Sequence, residues 1–104
     1  MKKIIITILL SFIVSTSFSA GTDSGDDTNY GKEYKSALKL INKKKYDNAI
    51  EKLMDLVDVS SSDFTKADVY NEIGFAFRKS DDFDNASKYY IMALNEDPNH
   101  LGAL

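Results

Sequence analysis

The chain of 104 residues contains no cysteine, no tryptophan, one proline and one histidine. Without cysteine there is no disulfide, thiolate metal site, thiol nucleophile or lipidated N-terminal cysteine. The single histidine, His100, has no second histidine or cysteine with which to ligate a metal, and we interpret it as a surface residue. Nothing supplies an activated nucleophile, a metal cluster or a phosphate loop, so the chain is not expected to be an enzyme and no cofactor is expected.

Only one long apolar run is present, Ile4 to Val14, which follows Lys2 and Lys3 and precedes small serine, threonine and alanine residues. This is the architecture of a secretory signal peptide. The run is also shorter than the roughly 20 residues that cross a bilayer. We therefore expect residues 1–19 to be a cleaved signal peptide and the protein to be exported, as a periplasmic or secreted protein, with an uncleaved membrane anchor as the alternative.

The charge balance excludes one large class of partners. Removal of Lys2 and Lys3 leaves 13 − 2 = 11 basic residues against 16 acidic residues. A net negative chain is poorly suited to a nucleic-acid backbone, and the run Lys43 to Lys45 is too short to change that. We expect a protein partner, with no nucleic acid and, after signal cleavage, no membrane.

The remaining chain has helical periodicity. Residues 20–29 are polar, acidic and glycine-containing, which predicts a flexible leader. From Tyr30 onward apolar residues recur every three or four positions, as at Tyr34, Ala37 and Ile41. The serines before Asp63 are expected to cap a helix rather than to react, and Pro98 is expected to stop the last one. The fold class predicted is all-α, with tandem antiparallel helix hairpins and helices at about 30–42, 47–59, 65–79 and 83–95.

Three aspartates, Asp81, Asp82 and Asp84, raise the possibility of a metal site. A calcium loop of the form D-x-[DN]-x-[DN]-G fails here, because Phe83 takes a ligand position and no glycine follows. Asp82 is typical instead of a helix N-cap, and Asp84 suits the first turn of the helix that follows. No metal ligands are therefore predicted.

The sequence contains an internal repeat. The segments "YDNA" and "FDNA" place Ala49 and Ala86 37 positions apart. The second unit resembles the tetratricopeptide repeat pattern W-x2-L-G-x2-Y…A-x3-F…P, and the first matches it more loosely. The resemblance implies repeats at about 30–63 and 67–100, the start of a further helix at 101–104, and a solenoid in which Gly74 packs closely on Ala86. The positions that carry the resemblance are Ala37, Ala49, Tyr70, Ile73, Gly74, Phe77, Ala86, Tyr90, Ala93 and Pro98.

Such repeats bind a peptide or helix segment of a partner in a concave groove formed by the first helix of each hairpin. The lysine and asparagine that clamp a C-terminal carboxylate in some members are replaced here by Tyr34 and Leu38, so a less specific apolar groove is implied. Leu38 and Ile41 could equally pack against the neighbouring hairpin. The groove-facing positions implied are Tyr34, Leu38, Ile41, Asn42, Asp68, Asn71, Phe75, Arg78 and Lys79.

Two functional hypotheses follow. The first is an exported interaction module that binds one segment of a partner protein. The second is a self-associating structural unit, or a truncated scaffold subunit of an envelope assembly, since two repeats are fewer than the three or so that usually give a stable solenoid.

Overall fold

The structure of the protein, a computed structural model, describes residues 27–104, and the side chains from Asn29 onward. Within that range every regular element is a helix: α1 is Asp27–Asn42, α2 is Tyr46–Met54, α3 is Lys66–Lys79 and α4 is Phe83–Glu96. The predicted all-α fold class is thereby confirmed. None of these helices is long and apolar enough to span a membrane. The predicted signal peptide and leader residues 20–26 lie outside the described residues.

Two helix ends differ from the prediction. Helix α1 begins at Asp27, three residues earlier than expected, because extending a formed helix adds one hydrogen bond for each residue ordered. Helix α2 ends at Met54 rather than near Val59. After Met54 the backbone hydrogen bonds span three residues instead of four. The Leu56 amide, for example, donates to the Leu53 carbonyl at 2.9 Å. This tightening, in a stretch with β-branched valines, turns Leu56 into the core.

Helices α1 and α3 end in the same kind of turn. Lys44 and Asp81 have positive backbone φ angles of 64° and 67°. The amide of the following residue donates to the carbonyl five positions back, at 2.8 Å for Leu40 and 2.9 Å for Phe77. These are the marks of a Schellman motif, in which the left-handed position usually holds glycine. Each short turn leads directly into the next helix.

The local structure recurs at the spacing of the sequence repeat. Asn42 and Lys79 end α1 and α3, and Tyr46 and Phe83 begin α2 and α4, in both cases 37 positions apart. The left-handed turn residues have the same spacing. We call residues 27–63 the first unit and 64–100 the second.

Residues of α1, α2, α3 and the connection between α2 and α3 form the core, and successive helices pack on one another in chain order. Phe64 lies outside the predicted helices, yet it is buried in this core. Met54, the last residue of α2, continues the apolar periodicity of the helix but is exposed. The buried cluster consists of Ala37, Ile41, Ala49, Leu53, Leu56, Phe64, Val69, Ile73 and Ala76.

Gly74 lies where α3 approaches α4 most closely. A Cβ atom at this position would lie 3.2 Å from the Ala86 carbonyl oxygen and 3.0 Å from Cδ1 of the Tyr90 ring. Both distances are shorter than an ordinary carbon contact of about 3.5 to 4.0 Å. The sequence paired Gly74 with Ala86 alone, and the structure adds Tyr90 as the tighter neighbour.

We predict that Gly74→Leu lowers the free energy of unfolding by about 1 to 3 kcal/mol, because the side chain overpacks a tight crossing. Gly74→Ala is the matched control. Its Cβ needs displacements of a few tenths of an ångström at the Tyr90 ring and the Ala86 carbonyl, and alanine recovers about 1 kcal/mol of helix propensity. Urea unfolding followed by circular dichroism measures both. A Gly74→Leu variant as stable as the unmodified protein would contradict the close approach.

We further predict that Lys44→Gly stabilises the protein by about 1 kcal/mol, because glycine has no Cβ penalty in the left-handed conformation. A change of this size raises Tm by about 4 to 8 °C in a domain of this length. Lys43→Gly is the control, since Lys43 is equally exposed and has no positive φ. Equal shifts for the two variants would show that Lys44 carries no backbone strain.

Candidate functional site

The start of α3 is held by a reciprocal pair of hydrogen bonds. The Asp68 amide donates to Thr65 Oγ1 at 3.0 Å, and the Thr65 amide donates to Asp68 Oδ2 at 2.9 Å. This capping box satisfies two amides that a helix N-terminus otherwise leaves unpaired. The cap expected from the serines before Asp63 is therefore supplied by Thr65, while Ser61 accepts a bond from the Asp63 amide within the loop.

The groove positions assigned to α1 are only partly open to a partner. Tyr34 is half-buried and stacks on Phe64, with the ring centroids 4.8 Å apart. Leu38 is half-buried against the core, and Ile41 is buried within it. Asn42 is exposed at the last residue of α1. One face of the Tyr34 ring is already occupied, so α1 offers less contact surface than the sequence implied.

The positions assigned to α3 lie together. Asn71, Phe75 and Arg78 border a depression of about 340 Å³. Arg78 places its guanidinium carbon 5.4 Å from the Phe75 ring centroid, and Lys79 places its ammonium 6.0 Å from it. Both cations are thus held near an aromatic face at cation–π distance. We call this depression the α3 groove; it is lined by Asn71, Glu72, Phe75, Arg78, Tyr90 and Gly102.

The segment after α4 forms one end of the α3 groove. His100 is half-buried, and its Nε2 lies 2.7 Å from Asp68 Oδ1. Gly102 packs on Asn71 so closely that a Cβ atom would lie 2.7 Å from the amide nitrogen. The interpretation of His100 as a surface residue is therefore wrong. At 101–104, where the start of a further helix was expected, the chain forms a turn in which the Leu104 amide donates to the His100 carbonyl four positions back at 3.1 Å.

The carboxyl groups at this end of α3 have shifted pKa values. Partial burial raises the pKa of Asp68, but hydrogen bonds from His100 and Thr65 lower it by more, so that the pKa lies below its ordinary value. Burial and the Asp68 charge raise the pKa of Glu72, with His100 acting in the opposite direction. Burial, followed by the charges of Glu72 and Asp68, also raises the pKa of Tyr34. Three titratable groups from two helices therefore lie close to one another.

Charge is consequently distributed unevenly along the α3 groove. Asp68 lies in the first turn of α3 and Glu72 near its middle, whereas Arg78 and Lys79 lie in its last turn. Ten residues separate Asp68 from Arg78 in sequence, which is about 15 Å of helix. About four or five residues of extended chain have that length. Along α3, acidic side chains therefore occupy the first half, Phe75 follows them and basic side chains occupy the last turn.

The aspartates between α3 and α4 are structural. Asp82 accepts a hydrogen bond from the Asn85 amide at 3.2 Å, and its other oxygen accepts one from the Asn85 side chain at 2.8 Å. The predicted N-cap is therefore confirmed. Asp81 adopts the left-handed conformation of the preceding turn, and Asp84 lies in the first turn of α4. Among residues 27–104 there is no group of three or more histidine or acidic side chains arranged to hold a metal ion.

Sequence reasoning missed four residues of this region, namely Glu72, Tyr90 as a groove residue, His100 and Gly102. Tyr90 is on α4 and reaches the α3 groove only because Gly74 leaves room for its ring. The contact of His100 with Asp68 follows the spacing of the repeat. In the first unit Asp63 packs on Gly31. The residue 37 positions after Asp63 is His100, and the residue 37 positions after Gly31 is Asp68.

Comparisons of the chain with protein-family models, with curated proteins and with solved structures find no match.

We predict that Asp68→Asn lowers Tm by a few degrees at neutral pH, because the ionised carboxyl accepts bonds from His100 and Thr65 that an amide replaces less well. The folded pKa of Asp68 lies below its unfolded value. Its contribution is therefore fully present above about pH 4, the ordinary range of an aspartate, and is lost as the pH falls through the folded pKa.

Thermal unfolding as a function of pH should show the unmodified and variant curves converging in acid. Asp55→Asn, at the exposed C-cap of α2, is the control and should not lower Tm. A difference between the unmodified protein and Asp68→Asn that persists unchanged into strong acid would contradict the ionised role of Asp68.

Proposed function

We propose that the protein is an exported, non-enzymatic interaction module in which two tetratricopeptide-like hairpins present the α3 groove to a peptide segment of a partner protein. The observation that carries this proposal is the grouping of Asn71, Phe75 and Arg78 in one depression. These three side chains offer, respectively, an amide for a peptide backbone, an apolar ring and a cation for a carboxylate.

Three features support the hairpin arrangement. Helix ends and left-handed turns recur every 37 residues, from Asn42 to Lys79 and from Lys44 to Asp81. Helices next to each other in the chain pack together. Gly74 makes the close approach to the following helix that the repeat pattern requires of it. A recurring pair of helices stacked in order is how repeat proteins build an extended binding surface.

The chemistry of the α3 groove favours a short peptide segment whose two ends differ in charge. An acidic side chain or a carboxyl terminus fits beside Arg78 and Lys79, where it completes a charge-assisted hydrogen bond. An apolar or aromatic side chain fits on Phe75, whose ring is half-exposed. The opposite end, beside Asp68 and Glu72, favours an amide or a cation. This order of groups defines the direction in which the segment lies along α3.

The side chain of Asn71 supplies a further reason for a ligand. Its carbonyl oxygen is buried without a hydrogen-bond partner in the described structure. A buried unsatisfied acceptor costs about 1 to 3 kcal/mol. A peptide N–H group that reached Asn71 after a small rotation of its side chain would recover part of that cost.

To test the proposal, random peptides displayed on phage are selected on the purified protein, and the affinity of a selected peptide is measured by titration calorimetry. We predict that Phe75→Ala and Arg78→Glu each weaken binding by about tenfold or more, equivalent to about 1.4 kcal/mol. The predicted consensus places an acidic residue next to an aromatic or aliphatic one.

Phe83→Ala is the matched control, because Phe83 is an exposed phenylalanine that does not line the α3 groove. Tyr34→Ala is less useful, since it also removes the stack on Phe64. Selected peptides that bind Phe75→Ala and Arg78→Glu as tightly as the unmodified protein would place the interaction elsewhere and refute the groove.

A further inference from the structure

Two polar atoms lie unpaired at one end of the α3 groove. They are the side-chain oxygen of Asn71 and Nδ1 of His100, and both are buried with no hydrogen-bond partner in the described part of the chain. Asn71 lines the α3 groove, and so does Gly102, two residues after His100. Buried polar atoms are nearly always paired, because an unpaired one is costly.

The bond to Asp68 determines which nitrogen of His100 carries the hydrogen. Nε2 lies 2.7 Å from Asp68 Oδ1. Burial raises the pKa of Asp68, but its hydrogen bonds lower it by more, so near neutral pH the carboxylate is ionised and only accepts. Nε2 therefore donates, and Nδ1 of the neutral ring is left as an acceptor. The Asn71 oxygen is also an acceptor, so this end of the groove lacks a donor.

Gly102 shows how near the two acceptors lie to each other. A Cβ atom on Gly102 would be 3.2 Å from Cγ of Asn71, 2.7 Å from its amide nitrogen and 3.2 Å from Cε1 of His100. The glycine leaves that point empty. The Asn71 oxygen is bonded to this Cγ, and Nδ1 of His100 is bonded to this Cε1. Turning the amide over places the oxygen where the nitrogen now lies, beside the imidazole ring.

A proton on His100 supplies the missing donor. Histidine side chains gain a proton as the pH falls from about 8 to about 5, and both ring nitrogens then donate. Nε2 keeps its bond to Asp68, and Nδ1 becomes able to donate to the Asn71 oxygen. That oxygen is also the atom that would accept a peptide N–H group in the α3 groove. The proton and the peptide therefore compete for one acceptor.

The charged groups around His100 act in the same direction. Asp68 bonds to it and Glu72 interacts with its charge from α3, while the carbonyl of Asp97, after α4, accepts its amide at 3.0 Å. On α1, Tyr34 stays uncharged, because burial and then the charges of Glu72 and Asp68 raise its pKa. A proton on His100 therefore offsets negative charge that would attract a cation or an amide of the peptide.

We propose that protonation of His100 releases the peptide from the α3 groove, so that binding is tight at neutral pH and weak in mild acid. With a neutral ring, the Asn71 oxygen bonds to the peptide. With a charged ring, Nδ1 takes that oxygen. The coupling rests on the proposed function, since it needs a peptide that bonds to Asn71. Because such coupling is reciprocal, a bound peptide also makes His100 harder to protonate.

The first test measures the Kd of a peptide selected on the α3 groove at about pH 8 and about pH 5, with protein purified without a histidine tag. We expect binding to weaken about tenfold in acid, the effect of one hydrogen bond to a charged group. His100 is the only histidine. His100→Gln keeps a donor for Asp68 but does not titrate, and it should lose most of the change.

Asn99→Gln is the matched control, because Asn99 is exposed in the same segment, and it should keep the pH dependence of the unmodified protein. A His100→Gln variant with that same pH dependence would overturn the coupling, since the titrating group would then be Glu72 or the peptide. The groove and the coupling fail separately. Binding that survives Phe75→Ala refutes the groove, whereas binding that Phe75→Ala weakens and that keeps its pH dependence in His100→Gln refutes the coupling alone.

The second test needs no variant. Nitrogen NMR of the protein labelled at histidine should show the hydrogen on Nε2 at about pH 8. Saturation with the peptide should lower the pH at which the ring takes up its second hydrogen. A neutral ring with the hydrogen on Nδ1, or a titration midpoint that the peptide leaves unchanged, would contradict the competition for Asn71.

Discussion

Gly74 packs so closely on the Ala86 carbonyl and the Tyr90 ring that a Cβ atom would lie 3.2 Å from the first and 3.0 Å from the second. This close contact brings α4 against α3 and places the Tyr90 ring on the groove side of α3. Asn71, Phe75 and Arg78 flank Gly74 on the same helix, and the Tyr90 ring lines the depression with them. Gly74, which costs helix propensity in α3, is therefore the residue that lets a second helix contribute to the candidate binding site.

The second constraint is the repeat of 37 residues. The left-handed turns recur at Lys44 and Asp81, whereas the first unit carries the Glu33–Lys52 ion pair where the second carries the Tyr70–Tyr89 aromatic pair. The turns therefore follow the repeat, and the side chains that pack between the helices do not all follow it.

Much of this could be read from the sequence, because helices are encoded by local periodicity. The spacing of Ala37 and Ile41, the paired alanines 49 and 86, and the cap at Asp82 are local signals, and the structure contains the corresponding helices and cap. Contacts between distant segments were harder to foresee. Phe64 follows polar loop residues and is buried by contacts from distant parts of the chain, among them Tyr34, thirty residues earlier, which stacks on it.

His100 illustrates the same limit. A lone histidine after a proline has no local feature that predicts a partner, and its bond to Asp68 depends on how the segment after α4 returns to α3. The end of α2 was misjudged for another reason. Leu56 and Val57 continue the apolar pattern of a helix. Hydrogen bonds that span three residues bury Leu56 just as an α-helix would, so the pattern does not show where the α-helix ends.

The central claim is that a partner segment lies along α3 with its acidic end at Arg78. Its most direct test is a two-dimensional NMR titration of the isotopically labelled protein with a peptide selected on it. The account predicts that the largest shift changes fall on Asn71, Phe75, Arg78 and the Tyr90 ring, and that a spin label on the acidic end of the peptide broadens Arg78 and Lys79. Changes confined to the outer surfaces of α1 and α2, with α3 unaffected, would contradict it.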